Sequence, residues 1–214
     1  MNTYGNYSNE ACLNPKAKQD TRALPLRIVR EHSSILWDHT RDTLGCDWME
    51  LAGVGAPTLP FLLDAGALQT AKFIGVDKDE PTLQDCRQTH GETHATWIHA
   101  PMKTVIVREE YASIRKQVGV LIYDSHDGLH NSNLRSKLQP IFNFAKNQRE
   151  HLSEFLLVIN IVADPRYVKE HHWSGYCDII NTEMCPNEPL TRDGIHVYKS
   201  KVAPMAWVAI TSGF

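Results

Sequence analysis

The chain has 214 residues, of which 42% are hydrophobic and 22% are charged. This length allows one compact domain with a sizeable core and leaves little room for two independent domains. The 22 lysines and arginines stand against 25 aspartates and glutamates, so the formal net charge is −3. That balance excludes the global basic field that drives binding to nucleic acids or anionic membranes.

Two further features predict a soluble, cytoplasmic protein with no membrane partner. The longest apolar run, 155–163, is far shorter than the roughly 18 residues that span a bilayer, and the polar start of the chain lacks the apolar core of a signal peptide. The five cysteines are an odd number without a Cys-x-x-Cys pair. They favour free thiols in a reducing compartment over a disulfide framework.

The N-terminal part of the chain divides into two segments. Residues 1–20 are polar and aperiodic, and we expect them to form a flexible arm ahead of a single domain over residues 21–214. From Pro25 to Gly45, apolar residues recur on one stripe with charged residues between them. This pattern predicts an amphipathic helix.

After Gly45, short strand-like runs alternate with helical stretches. The runs cover residues 46–52, 72–77, 95–99, 118–124 and 154–162. The second, fourth and fifth runs show almost no polar alternation, which is typical of strands buried on both faces by crossover helices. A central parallel sheet is therefore predicted.

The crossover helices have their own signals. Pro57 to Ala65 begins with a proline at a first helical position, and Asp79 can cap a helix that continues through Gln88. A third helical pattern surrounds Pro140, where we expect a kink.

Two β-rich runs, Gly194–Lys201 and Met205–Thr211, end the chain. The three residues between them are too few for a parallel crossover, so the two runs must form an antiparallel hairpin. The predicted fold is therefore α/β: a doubly wound, mostly parallel seven-stranded sheet with helices on both faces and a C-terminal antiparallel β-hairpin.

The strongest local motif is the glycine turn in Glu50–Thr58, ELAGVGAPT, which leads from a buried strand into a helix. Gly53 and Gly55 let backbone N–H groups approach a ligand closely, and the helix N-terminus adds partial positive charge. The pattern reads GxGxxT rather than GxGxxG. An ordinary tight turn is the alternative interpretation.

A second motif supports the first. Asp77 ends the next strand at about the 20-residue distance from the glycine turn at which nucleotide-binding sheets place an acid for ribose hydroxyls. The alternative is that Asp77 or Asp79 is only a helix N-cap.

The segments MELAGVGAP, FIGVDKDE and VLIYDSHDG and the terminal hairpin together resemble the class I, seven-stranded, Rossmann-like S-adenosylmethionine-dependent methyltransferases. The resemblance extends from Cys46 to Phe214. It departs from the family pattern at Ala52, which holds the first glycine position, and at His99, where an acid is common. It implies a methyltransferase with S-adenosyl-L-methionine as its cofactor.

The resemblance also implies a set of cofactor-binding residues: Glu50, Gly53, Gly55, Asp77, His99, Ala100 and Asp124. The turn residues would shape the pocket for the methionine end, Asp77 would hold the ribose hydroxyls, and residues 99–102 would line the adenine. Asp124 would face the methyl donor and the acceptor together.

A catalytic base is needed only if the acceptor carries a proton that must leave. Asp124, His126 and Asp127 are the candidates, and His126 qualifies because its reference pKa of about 6.5 lets it accept a proton near neutrality. The alternative is that the DSHDG segment is a simple polar turn.

The remaining predictions concern metals and partners. His171, His172, Cys177 and Cys185 fit no standard zinc spacing, so no metal site is expected. The chain lacks the [DNS]PP[YFW] motif and the Pro-Cys nucleophile of enzymes that methylate nucleic-acid bases. A small-molecule or protein acceptor is therefore favoured over nucleic acid, and the oligomeric state is open.

Two other functions fit the same motifs. A nicotinamide-dependent oxidoreductase uses a similar turn and acid, although the terminal hairpin argues against it. A non-catalytic binding protein with a degenerate methyltransferase fold would account for the altered glycine pattern.

Overall fold

The computed structural model describes residues 15–184, 189–199 and 204–212. Two short strands, β1 (Trp37–Asp38) and β2 (Thr43–Leu44), pair with each other ahead of the main sheet. The main sheet consists of β3 (Asp47–Leu51), β4 (Phe73–Asp77), β5 (Ala95–His99), β6 (Val118–Gly128), β7 (Phe155–Val162), β8 (His196–Lys199) and β9 (Pro204–Ser212).

Seven α-helices accompany these strands within the described residues. They are α1 (Pro15–His32), α2 (Thr58–Asp64), α3 (Glu80–His90), α4 (Met102–Val107), α5 (Ala112–Arg115), α6 (Leu134–Leu152) and α7 (Glu170–Met184). None of the described helices is both long and apolar enough to cross a bilayer.

The strand order in the main sheet is β5-β4-β3-β6-β7-β9-β8. The first five of these strands are parallel, whereas β9 is antiparallel to both β7 and β8. The chain moves outward from β3 to β5 and then returns to the other side of β3 with β6. Because ligands of open α/β sheets bind at the carboxyl ends of the strands beside such a reversal, the topology points to the β3–β6 boundary.

Helices cover both faces of the sheet. Phe155, Leu157 and Ile159 of β7 face a core shared with α4, α6 and α7, while Leu156 and Val158 face a second core shared with α1, α2 and α3. Burial on both faces explains the nearly continuous apolar sequence of this strand. The predicted α/β fold with its C-terminal hairpin is confirmed.

The predicted helix from Pro25 to Gly45 is wrong in its bounds, because α1 begins at Pro15 and ends at His32. Residues 15–20 of the predicted arm thus belong to this helix, and residues 1–14 lie outside the described part of the chain.

Buried polar groups end α1. The Ser33 hydroxyl accepts a hydrogen bond from the Leu36 N–H at 2.7 Å and donates one to Glu154, which also accepts from the Ile35 N–H at 3.2 Å. These bonds fix a turn, after which residues 37–44 form the small β1–β2 hairpin instead of more helix.

Other elements differ from their predictions in extent. β6 continues to Gly128 rather than ending at Asp124, and Pro140 lies inside α6, which extends to Leu152. The sequence patterns predicted none of α4, α5 and α7. Residues 200–203, which include most of the predicted connection 202–204, lie outside the described residues.

Glu183 joins α7 to α6. Its carboxylate accepts hydrogen bonds from Arg135 (2.9 Å to Nε), Gln139 (3.0 Å) and Lys146 (3.1 Å). These three donors lower the pKa of Glu183 to about 2. A carboxylate whose pKa is depressed in the folded state stabilises that state above its unfolded pKa and loses this effect as the pH falls.

We expect Glu183→Gln to reduce the free energy of unfolding by about 1–3 kcal/mol at pH 7, because hydrogen bonds to a charged group are lost. The difference from the wild type should shrink as the pH falls from 4.5 to 2, because the Glu183 carboxylate is then protonated in the unfolded chain while it is still ionised in the folded one. Urea unfolding of both proteins at several pH values in that range measures this difference in the free energy of unfolding. Asp178→Asn, at an exposed site on the same helix, is the control, and a pH-independent difference would contradict this account.

Candidate functional site

The glycine turn follows the carboxyl end of β3. Gly53 has φ of 56° and Gly55 has φ of 72°, both in the left-handed region that glycine adopts without strain. A Cβ at either position would have no described atom within 4 Å. Glycine is therefore required here by the backbone conformation, and open space remains beside the turn.

Helix α3 holds this turn in place. The Cys86 thiol donates to the Gly53 carbonyl at 3.6 Å, and His90 Nε2 lies 3.0 Å from the Gly55 carbonyl. A carbonyl oxygen only accepts, so His90 Nε2 is the protonated ring nitrogen in this contact.

Asp77, at the carboxyl end of β4, contacts the glycine turn directly. Its Oδ2 accepts a hydrogen bond from the Gly53 N–H at 3.2 Å, and its Oδ1 accepts one from the Asp79 N–H at 3.0 Å. Asp79 caps α3 by accepting hydrogen bonds from the Thr82 N–H at 3.1 Å and the Thr82 hydroxyl at 2.6 Å. The helix-cap role therefore belongs to Asp79, and Asp77 lies against the turn.

Glu50 is a buried carboxylate one residue before the end of β3. The Trp48 indole N–H donates to its Oε2 at 2.9 Å, and the Thr58 side chain at the start of α2 also bonds to it. Burial, together with the nearby Asp124 carboxylate, raises the pKa of Glu50 to about 7, although the hydrogen bonds from Thr58 and Trp48 and the charge of Arg22 lower it. A cation placed beside Glu50 would favour its ionised form.

His99 and Ala100 lie at the carboxyl end of β5. His99 Nε2 is 3.0 Å from the Lys78 carbonyl, and its Nδ1 is 3.2 Å from Glu80 of α3. The N–H of Ala100 donates to the Asp77 carbonyl at 2.9 Å. These contacts join the end of β5 to the β4–α3 connection that contains Asp77.

Asp124 of β6 lies opposite Asn160 of β7 in the parallel register. Asn160 Nδ2 donates a hydrogen bond to Asp124 Oδ1. The sequence analysis did not identify Asn160 as a site residue, although it is the one polar residue in the run FLLVINIV. A lone amide in a strand buried on both faces was the available signal.

The other two candidate bases follow Asp124 on a bulged part of β6. Asp124 pairs with Asn160 and Gly128 with Val162, so residues 125–127 are displaced from the regular register. Asp127 forms an ion pair with Lys137 of α6. The side chain of His126 is outside the described part of the structure.

The possible zinc ligands do not form a cluster in the described structure. The His171 and His172 rings pack with their centroids 4.0 Å apart, Cys177 is buried, and Cys185 lies outside the described residues. No group of three or more His, Cys, Asp or Glu residues within the described ranges could hold a metal ion.

No protein-family model and no curated protein matches this chain. Solved structures do match. An S-adenosylmethionine-dependent methyltransferase from Agrobacterium tumefaciens gives a TM-score of 0.54 at 12% identity, and the match covers 95% of this chain and 64% of that one. The plantazolicin methyltransferase BamL, in complex with a triazolic desmethylPZN analogue and SAH, gives 0.52 at 7% identity and covers 97% and 90%.

A third match is the putative methyltransferase yhhF from Escherichia coli, with a TM-score of 0.50, 11% identity and coverage of 94% of this chain and 88% of that one. At such identities the likeness shows the fold alone. The chain therefore has the Rossmann-like fold of the class I S-adenosylmethionine-dependent methyltransferases.

The environment of Glu50 gives a stability test. Its folded pKa of about 7 lies above its ordinary value, so the folded state binds the extra proton and stability falls as the pH rises from about 4.5 to about 7. We expect Glu50→Gln to gain up to about 3 kcal/mol relative to the wild type between pH 5 and pH 8. Thermal melts at four pH values measure this gain, and a constant difference would contradict it.

Proposed function

We propose that the protein is an S-adenosylmethionine-dependent methyltransferase. The observation that carries the proposal is the hydrogen bond from the Gly53 N–H to Asp77 Oδ2, which brings the glycine turn and the acid together beside the chain reversal. Ligands of open α/β sheets bind at this kind of position. The methyltransferase fold of the matching structures supports the same conclusion.

The residues at this edge fit the cofactor. The glycine turn leaves open space for a ligand beside Gly53 and Gly55, and Asp77 is available there as an acceptor for ribose hydroxyls. Glu50 and Asp124 supply negative charge for a ligand with a cationic sulfur and an ammonium group. His99 and Ala100 would line the adenine from the end of β5.

The bound cofactor supplies a methyl group that is electrophilic because its sulfur is positively charged. The chain then has to align the acceptor and exclude water, an effect worth up to about 7–11 kcal/mol of barrier. Asp124 is the favoured base, because its described partner is the neutral amide of Asn160, whereas Asp127 forms an ion pair with Lys137. His126 remains a candidate from the sequence alone.

A small-molecule or protein acceptor remains part of this proposal. The contacts of the described residues give no support to the nicotinamide-dependent oxidoreductase or to the non-catalytic binding protein.

Binding of S-adenosylhomocysteine to the Asp77 variant tests the cofactor site. We expect Asp77→Asn to weaken binding at least tenfold, because an amide donates where the carboxylate accepts. Asp79→Asn is the matched control, since it alters the α3 cap and leaves the Asp77 carboxylate intact. Isothermal titration calorimetry gives both affinities. The absence of binding to the wild type at 1 mM ligand, or equal losses in the two variants, would remove the proposal.

The pH dependence of cofactor affinity tests the role of Glu50. A cation binds better to ionised Glu50, so the affinity for S-adenosylmethionine should rise with pH, by up to about tenfold per unit below pH 7, and should level off above it. Calorimetry at pH 6, 7 and 8 measures the affinity, and buffers of different ionisation enthalpy reveal the released proton. Glu50→Gln should give a flat profile, and a flat wild-type profile would contradict this role.

A further inference from the structure

Asp124 and Asn160 belong to one row of side chains on the sheet face that α1 covers. Leu156 and Val158 of β7 pack into the core that contains Leu26 and Val29 of α1. Side chains alternate along a strand, so Asn160 faces the same side. Trp207 of β9 lies opposite Asn160 in the register and also belongs to this core.

Glu50 faces the same side, because it stands two residues after Trp48, which belongs to that core. Its electrostatic coupling to Asp124 and to Arg22 of α1 places all three charges in one neighbourhood. The row therefore begins beside the cofactor-binding turn and continues across β6 and β7 to the indole of Trp207.

The Asn160 amide has a defined orientation. An ionised carboxylate only accepts hydrogen bonds, so the nitrogen of the amide faces Asp124 and the oxygen faces elsewhere. That oxygen is buried and has no hydrogen-bond partner among the described residues. A buried carbonyl oxygen without a donor costs free energy, so a ligand that donates an N–H or O–H group to Asn160 Oδ1 would be stabilised there.

The charges around Asn160 Oδ1 limit the chemical class of ligand that can donate this hydrogen bond. Glu50 and Asp124 are two carboxylates against the single Arg22 guanidinium, so the net charge here would disfavour an acceptor substrate with a carboxylate, phosphate or phenolate at its reacting end. An amine is attracted by the same carboxylates and donates to both Asp124 and Asn160 Oδ1.

We propose that the methyl acceptor is an amine whose nitrogen is bound between the Asp124 carboxylate and Asn160 Oδ1. This inference rests on the proposed methyltransferase function and adds to it the class of substrate. Asn160 is then a specificity-determining residue.

The transfer step balances with these groups. The bound ammonium gives one proton to the Asp124 carboxylate, and the nitrogen lone pair that this frees attacks the methyl carbon. The C–N bond forms as the C–S bond breaks, and the sulfur keeps the bonding electron pair as a neutral thioether. The product leaves as a methylated ammonium, and the Asp124 proton passes to water.

Sinefungin tests the acceptor side of the site without knowledge of the substrate. In this analogue of S-adenosylmethionine, an amine-bearing carbon replaces the methylsulfonium group, so the amine stands where the methyl group would meet the acceptor. We expect the wild type to bind sinefungin at least tenfold more tightly than S-adenosylhomocysteine at pH 7.5, measured by calorimetry. Asn160→Leu and Asp124→Asn should each reduce this ratio at least fivefold.

Because both affinities are measured on the same variant, a general loss of folded protein affects them equally and does not change their ratio. Asp164→Asn, which removes a carboxylate after β7 that pairs with Arg166, is the control and should keep the wild-type ratio. A wild-type ratio near one, or a ratio unchanged in both site variants, would overturn the amine inference and leave the proposed function standing. If neither ligand binds to the wild type, the proposed function fails first and the inference falls with it.

Discussion

The hydrogen bond between the Gly53 N–H and the Asp77 carboxylate is the contact on which the rest of the site depends. It joins the turn after β3 to the end of β4, and the second carboxylate oxygen binds the Asp79 N–H at the start of α3. The left-handed turn, the acid and the helix start are thereby held in one arrangement beside the chain reversal. The negative charge of Asp77 is neutralised in part by two backbone amides and stays at the edge where ligands bind.

The same edge of the sheet contains buried polar groups whose burial costs free energy when no ligand is bound. Glu50 is buried with a raised pKa, and Asn160 has a buried amide oxygen without a described donor. Glu183, in contrast, is buried among three donors with a lowered pKa and serves to join two helices. A buried carboxylate with a raised pKa and a buried amide oxygen without a described donor, both at the edge where ligands of such sheets bind, indicate a site completed by a ligand.

The sequence predicted most of the sheet because burial on both faces leaves a direct pattern of apolar runs, and β5 has the predicted bounds. The hairpin was predictable as well, because the connection between the two terminal β-rich runs is too short for a parallel crossover. The sequence could not give the bounds of α1, because the bonds of Ser33 and Glu154 that end it join residues far apart in the chain. The ion pair of Asp127 with Lys137 is also a tertiary contact. Asn160 stands out in the sequence as a lone amide in an apolar strand, but its contact with Asp124 is not visible in the local pattern.

We infer that Asp77 and the glycine turn together form the floor of an adenosine site, and this is the central claim. A crystal structure of the protein with S-adenosylhomocysteine tests this claim most directly. We expect the ribose hydroxyls within hydrogen-bond distance of Asp77 and the amino-acid end of the ligand beside Glu50 and Gly53. A ligand bound elsewhere, or a side chain of the protein filling the space beside Asp77 in crystals grown with saturating ligand, would contradict it.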